Sequence, residues 1–193
     1  MTEEIKEEIK SRVDKLLHPI ATRLISLGLR PNTLTLLNLS CGLFAGILFF
    51  FHQIILACVF TLLSLLFDGL DGTVARILKI SSERGEIFDR VCDRYVMGII
   101  FLGIACANYV SSLILLVALF GVFIENYAEE MIRRVRKRTF EIAGGVRPII
   151  VIGALTNFDV AIIILSFLYN VGGVIQVVYL AIHTLRNFKH TSA

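Results

Sequence analysis

The sequence predicts an all-α integral membrane protein, six transmembrane helices in one domain preceded by an N-terminal amphipathic interfacial helix. Three observations predict it. Of the 193 residues 56% are apolar and only 18% charged, a balance more apolar and less charged than soluble domains carry. Apolar stretches recur near the length of ~20 residues that a bilayer-crossing helix needs, since every backbone polar group must be satisfied inside such a segment. Finally, all 19 Lys and Arg residues fall in alternate connections or at the span ends that flank them, which sets a topology. Residues 1–193 are read as a single domain, with 1–30 the interfacial helix and 33–185 the six-helix bundle.

In the first segment Ile5, Ile9, Val13, Leu16, Leu17, Ile20, Leu24 and Ile25 recur at helical spacing with charges between them. Such a helix lies on a membrane surface or packs on a bundle. No apolar core with a small-residue cleavage site precedes it, so no cleavable signal peptide is read. Pro31 is expected to end this segment, and Asn32 or Thr33 to cap the first span.

The six spans are expected over residues 33–51, 54–76, 87–107, 110–131, 146–157 and 160–185. In the first, Gly42 and Gly46 are spaced for close helix contact, within one subunit or between the subunits of an expected homodimer. Cys41, Cys58, Cys92 and Cys106 stand singly in apolar runs without metal-type spacing and read as packing residues. Cations cluster before span one, between spans two and three, between four and five, and after six. Both termini are therefore expected in the cytoplasm, the chain crossing the cell (inner) membrane several times. The basic run at 133–138 reads as a topological anchor touching anionic lipid, not as a nucleic-acid surface.

Charge at membrane depth is costly unless paired, hydrated or bound to metal, so the carboxylates between spans two and three stand out. Asp68 and Asp71 are three residues apart and Asp89 and Asp93 four apart, so each pair shares one helix face. If the two spans fold as a hairpin about residue 80, Asp71 lies nine residues before the turn and Asp89 nine after it. Asp68 lies twelve before and Asp93 thirteen after. At about 1.5 Å rise per residue the two pairs reach matching heights. Four carboxylates in one pocket call for cations, and all-oxygen ligands suit two hard divalent ions, Mg²⁺ with Mn²⁺ as substitute. Phosphate chemistry at the membrane surface follows from such a pair. The competing reading is salt bridging to Arg76, Arg84, Arg90 and Arg94. Gly69, Gly72 and Ala75 leave one face of span two bare for a flat group or a pyrophosphate, with Arg76 placed to fork phosphate oxygens. Glu83 and Glu86 are expected in the loop, outside the metal site.

The pattern Asp68-x2-Asp71-Gly72-x2-Ala75-Arg76-x8-Gly85-x3-Asp89-x3-Asp93 resembles the signature of the class I CDP-alcohol phosphatidyltransferases at every defined position. The stretch HPIATRLISLGLRPNTLTLLNL is similar to the segment entering the first span in the branch that makes phosphatidylinositol phosphate and archaetidylinositol phosphate. The resemblance implies transfer of a phosphatidyl-type group from a CDP-linked lipid, CDP-diacylglycerol or CDP-archaeol, to an alcohol hydroxyl, with release of CMP. It implies that Asp68, Asp71 and Asp89 hold one ion and Asp68, Asp89 and Asp93 a second, with Asp93 also the base. Pro31, Asn32, Thr33, Leu34, Gly72, Arg76 and Ser82 would contact the CDP-lipid, with Ala75 and Gly85 beside them.

The inositol phosphate branch implies a cation soon after Tyr127 and an Arg-Pro element before span five. Arg147-Pro148 supplies the second, whereas Ala128, Glu129 and Glu130 follow Tyr127. Arg147, Arg133 and Glu129 are therefore the expected acceptor-binding residues: Arg133 restoring the missing charge for inositol phosphate, or Glu129 receiving the amine of serine or ethanolamine. Two other classes bind cations through membrane aspartates. An intramembrane prenyltransferase would carry more spans and two separate Asp-rich motifs, and a divalent-cation transporter would carry polar residues along spans two and three beyond Ser64 and Met97.

Overall fold

The computed structural model describes residues 3–80, 82–136 and 146–191, without the side chains at 3–11, 13, 14, 83, 86, 129, 133–136 and 183–191. These residues form seven helices and no strand: α1 (Glu3–Ser26), α2 (Pro31–Phe50), α3 (Ile54–Ile77), α4 (Glu83–Cys106), α5 (Ser112–Arg136), α6 (Val146–Leu155) and α7 (Phe158–Thr191). The chain divides into two compact units, Met1–Gly103 and Ile104–Ala193.

Among the described residues, four helical segments are long and apolar enough to cross a membrane: Pro31–Phe50, Ile54–Ile77, Ser112–Ile132 and Phe158–Ile182. The protein is thus a multi-pass membrane protein. The expected third and fifth spans are not among these four. Helix α4 carries Asp89, Arg90, Asp93 and Arg94 in its first half. Helix α6 is described from Val146 and ends at Leu155; the residues before it, where the fifth span was expected to be able to begin, lie outside the described residues.

In the first unit the helices end through local bonds. After α1 the Leu29 N–H donates to the Leu24 carbonyl (3.0 Å) and the Gly28 N–H to the Ile25 carbonyl (2.9 Å), with Gly28 left-handed at φ 80°. This paired closure is the Schellman stop, which needs a residue of positive φ. It corrects the expected boundary: Gly28, not Pro31, ends α1. Pro31 opens α2, where its missing N–H removes nothing, and Arg30 rather than Asn32 or Thr33 holds the N-cap position. The same paired closure ends α2 at His52 (φ 57°) and α3 at Lys79 (φ 53°). Glu83 and Glu86, expected in the loop, fall in the first turn of α4.

The C-terminal half of α1 packs on its own bundle. Ala21 is buried with Leu34, Leu70 and Val74, and Leu17, Leu24 and Ile25 lean against this cluster. Leu17 also lies over Gly69, its Cδ1 3.1 Å from where a Cβ would stand. The expected apolar stripe therefore splits, since Leu16 on the opposite side is 75% exposed; the side chains of Ile5, Ile9 and Val13 lie outside the described residues.

Helices α2 and α4 run parallel and almost touch. A Cβ on Gly42 would stand 2.5 Å from Val96 Cγ1 and one on Gly46 2.6 Å from the Ile99 carbonyl oxygen, while a Cβ on Gly103 would collide with the Gly46 carbonyl. The Gly42/Gly46 pair thus serves contact within the chain. Helix α3 runs antiparallel to α2, with position 71 beside 35 and position 68 beside 38.

In the second unit α5 and α7 run side by side. The Asn170 amide donates to the Val117 carbonyl (3.0 Å), and Gly121 and Gly173 clear space for Asn170 and Ile124. Helix α6 packs on α7, where Gly153 faces Ala161. Glu125, Arg147 and Gln176 are buried in this unit.

The parallel approach yields a stability comparison. Gly103→Ala drives a methyl into backbone that cannot step aside and is expected to cost about 1–3 kcal/mol, read as a lower thermal midpoint in detergent. Gly98→Ala on the same helix meets nothing within 4 Å and should leave the midpoint unchanged or slightly raised.

Candidate active site

The last turns of α3 and the first turns of α4 bring the acidic residues together. One carboxylate oxygen from each of Asp68, Asp89 and Asp93 lies within 4.8 Å of the others, and all three side chains are half-buried. The i, i+4 spacing puts Asp89 and Asp93 on one face of α4, and the antiparallel return of α3 delivers Asp68 to it. Charges this close repel by about 3 kcal/mol per pair at an effective dielectric of about 20. An all-oxygen, threefold anionic set from two helices is one that a hard divalent cation fits.

Asp71 is more deeply held, 4% exposed, and close enough to Asp89 and Asp93 for their charges to interact. Its Oδ2 accepts a 2.7 Å hydrogen bond from Thr35 Oγ1 on α2. One turn further along α2, Asn38 Nδ2 donates to Asp93 Oδ1 (3.0 Å) and Asp68 Oδ1 (3.4 Å). Asn38 Oδ1 in turn accepts from Ser64 Oγ at 2.6 Å. Thr35, Asn38 and Ser64 are absent from the residues expected from sequence. Their signal is nonetheless present, because isolated polar residues one turn apart on apolar helices must find partners where no water reaches.

Arg76 folds back along α3. Its Nη2 donates to Thr73 Oγ1 (3.2 Å), and its Nη1 would stand 3.3 Å from a Cβ on Gly72. Gly72 therefore makes room for the guanidinium, while Gly69 sits under Leu17 of α1 and is not bare. Ser82 has a structural task, its Oγ accepting the Gly85 N–H at 3.1 Å as the N-cap of α4. A Cβ on Gly85 would stand 3.2 Å from that oxygen. At the head of α2, Asn32 and Thr33 are exposed and Pro31 is half-buried, but Leu34 belongs to the core with Ala21, Leu70 and Val74. Ala75 is half-buried on α3. Arg147 is buried in the second unit (5% exposed); the side chains of Glu129 and Arg133 lie outside the described residues.

Residues 29–186 match the profile of the CDP-alcohol phosphatidyltransferases, and the chain belongs to that family. It is 31% identical over 121 residues to the archaetidylinositol phosphate synthase of Pyrococcus horikoshii, covering 63% of this chain and 64% of that one. It is 37% identical over 89 residues to the phosphatidylinositol phosphate synthase of Corynebacterium glutamicum, covering 45% and 40%. The match thus spans less than two thirds of either relative's length. The fold is similar to that of Mycobacterium tuberculosis phosphatidylinositol phosphate synthase solved with CDP-DAG bound, with a TM-score of 0.72 at 20% identity over 84% of this chain and 92% of that one.

The cap separates two readings of Ser82. Ser82→Ala is expected to lower ligand-free stability by about 1 kcal/mol while Ser82→Asp, an equally good cap, retains it; equal thermal midpoints for all three proteins would remove the capping role.

Proposed function

We propose that this protein transfers a phosphatidyl-type group from a CDP-linked lipid to the hydroxyl of a polar alcohol, releasing CMP at the cytoplasmic face of the membrane. The observation that carries the proposal is the convergence of Asp68, Asp89 and Asp93 within 4.8 Å inside a signature that places the chain in its family. Inositol phosphate is the favoured acceptor, on the strength of relatives named for that chemistry and of Arg147-Pro148 in the first turn of α6.

Asp68, Asp71, Asp89 and Asp93 would hold two divalent cations, Mg²⁺ or Mn²⁺. When bound, these supply neutralising charge to the pyrophosphate and to the departing CMP. The remaining work falls to the chain itself. Asp93 takes the proton of the acceptor hydroxyl as the acceptor oxygen bonds to the lipid-bearing phosphorus and the bond from that phosphorus to the CMP oxygen breaks. Arg76, lying over Gly72 and steadied by Thr73, offers its planar donors to phosphate oxygens. The N-terminus of α2, with Asn32 and Thr33 exposed, presents the positive end of a helix to the anionic nucleotide. The apolar spans keep the lipid tails in the bilayer, and the distribution of the 19 cations supports six crossings with both termini inside.

Purified protein given a CDP-linked lipid and a panel of inositol phosphate, glycerol phosphate, serine and ethanolamine should release CMP fastest with inositol phosphate. No CMP release with any acceptor would overturn the proposal. Asp93→Asn should lower turnover on the order of 100- to 10,000-fold, the usual worth of a positioned base, while CDP-lipid binding persists. Chelation should abolish turnover and Mg²⁺ or Mn²⁺ restore it; metal-independent turnover would refute the role given to the carboxylates.

A further inference from the structure

The acidic cluster is closed on its membrane side by an amide. Asn38 is fully buried (0% exposed), as is Ser64 behind it. The carboxamide has two N–H donors, and it points them at carboxylates on two different helices, Asp68 of α3 at 3.4 Å and Asp93 of α4 at 3.0 Å. Its oxygen accepts the Ser64 hydroxyl at 2.6 Å, and Ser64 lies one turn deeper along α3 than Asp68. The chain Ser64–Asn38–Asp68/Asp93 therefore has one sense only. Reversing the amide would turn its oxygen toward two anions and its donors toward a hydroxyl already aimed at it. A neutral donor also suits the position, since it offsets repulsion between two carboxylates without introducing the positive charge by which a lysine would compete with a cation.

We propose that Asn38, held in one orientation by Ser64, is a positioning residue that presets Asp68 and Asp93 for a divalent cation. This rests on the metal-dependent reading of the site given above. Each carboxylate gives one acceptor position to Asn38, and an ionised carboxylate offers about four in all. Groups that orient metal ligands from behind typically change metal affinity on the order of 10- to 100-fold when removed.

Mn²⁺ binding by the purified, substrate-free protein in detergent, followed by the paramagnetic resonance of free Mn²⁺, reads this directly. Thermal midpoints of the metal-free proteins are taken alongside. Asn38→Leu, near in volume and lacking donors, should raise the Mn²⁺ dissociation constant by at least ~10-fold. Ser64→Ala should shift it in the same direction by a smaller factor. The double variant should bind no more weakly than Asn38→Leu alone, because Ser64 acts through Asn38. Independent, multiplying losses in the double variant would overturn the proposal. So would unchanged affinity in a folded Asn38→Leu protein or, where that variant does not fold, in Ser64→Ala. A wild-type protein that binds no Mn²⁺ overturns both this inference and the metal-dependent reading; equal affinities of wild type and variants overturn the inference alone.

Discussion

The contact on which the first unit depends is the one between α2 and α4 at Gly46 and Gly103, where a backbone carbonyl occupies the place of a side chain. Two parallel helices brought this close cannot slide or rotate past each other without collision, so their register is fixed. Once it is fixed, Asn38 stands beside Asp93 on one side, while the antiparallel α3 brings Asp68 and Asp71 beside Asn38 and Thr35 on the other. The acidic site is thus a product of interhelical register as much as of the aspartates themselves. Small residues are what permit it in a bilayer, where no hydrophobic force draws one helix to another and close packing must supply the attraction.

The polar groups around the carboxylates follow one electrostatic rule. Helix α2 meets the carboxylates with neutral donors, a hydroxyl from Thr35 and an amide from Asn38, and Arg76 donates to Thr73. Neutral donors lessen repulsion without cancelling the charge, so the cluster remains attractive to a cation. The guanidinium stays one turn beyond Asp71 toward the end of α3, where an anionic ligand can be met.

Much of this was legible in the sequence. Apolar length and the alternation of cations located the spans of α2, α3, α5 and α7 to within a few residues, because desolvation of backbone and charge dominates in a bilayer and both are local in sequence. The three- and four-residue spacing of the aspartates told which would share a face. What escaped was set by partners distant in the chain. Neither Asn38 nor Ser64 was expected at the site, because their significance depends on a register fixed by Gly46 and Gly103. The boundary of α1 was misplaced for another reason. Two helix punctuators, Gly28 and Pro31, stand three residues apart, and glycine's left-handed turn stops the first helix before the proline begins the second. The amphipathic pattern of α1 could not distinguish a membrane surface from α3, since both reward the same apolar stripe.

The eight residues between Arg76 and Gly85 carry none of the proposed metal ligands, yet the structure gives their number a meaning. They contain the last residue of α3, the left-handed stop at Lys79, the serine cap and the opening turn of α4. The left-handed stop and the serine cap are each closed by bonds to their own neighbours. A residue more or fewer that ran through into α4 as helix would turn it by about 100°, swinging Asp89 and Asp93 away from Asp68 while leaving each aspartate in place in the sequence. The spacing between the two aspartate pairs is in that sense a phase relation between helices, set by the connector as well as by the aspartates.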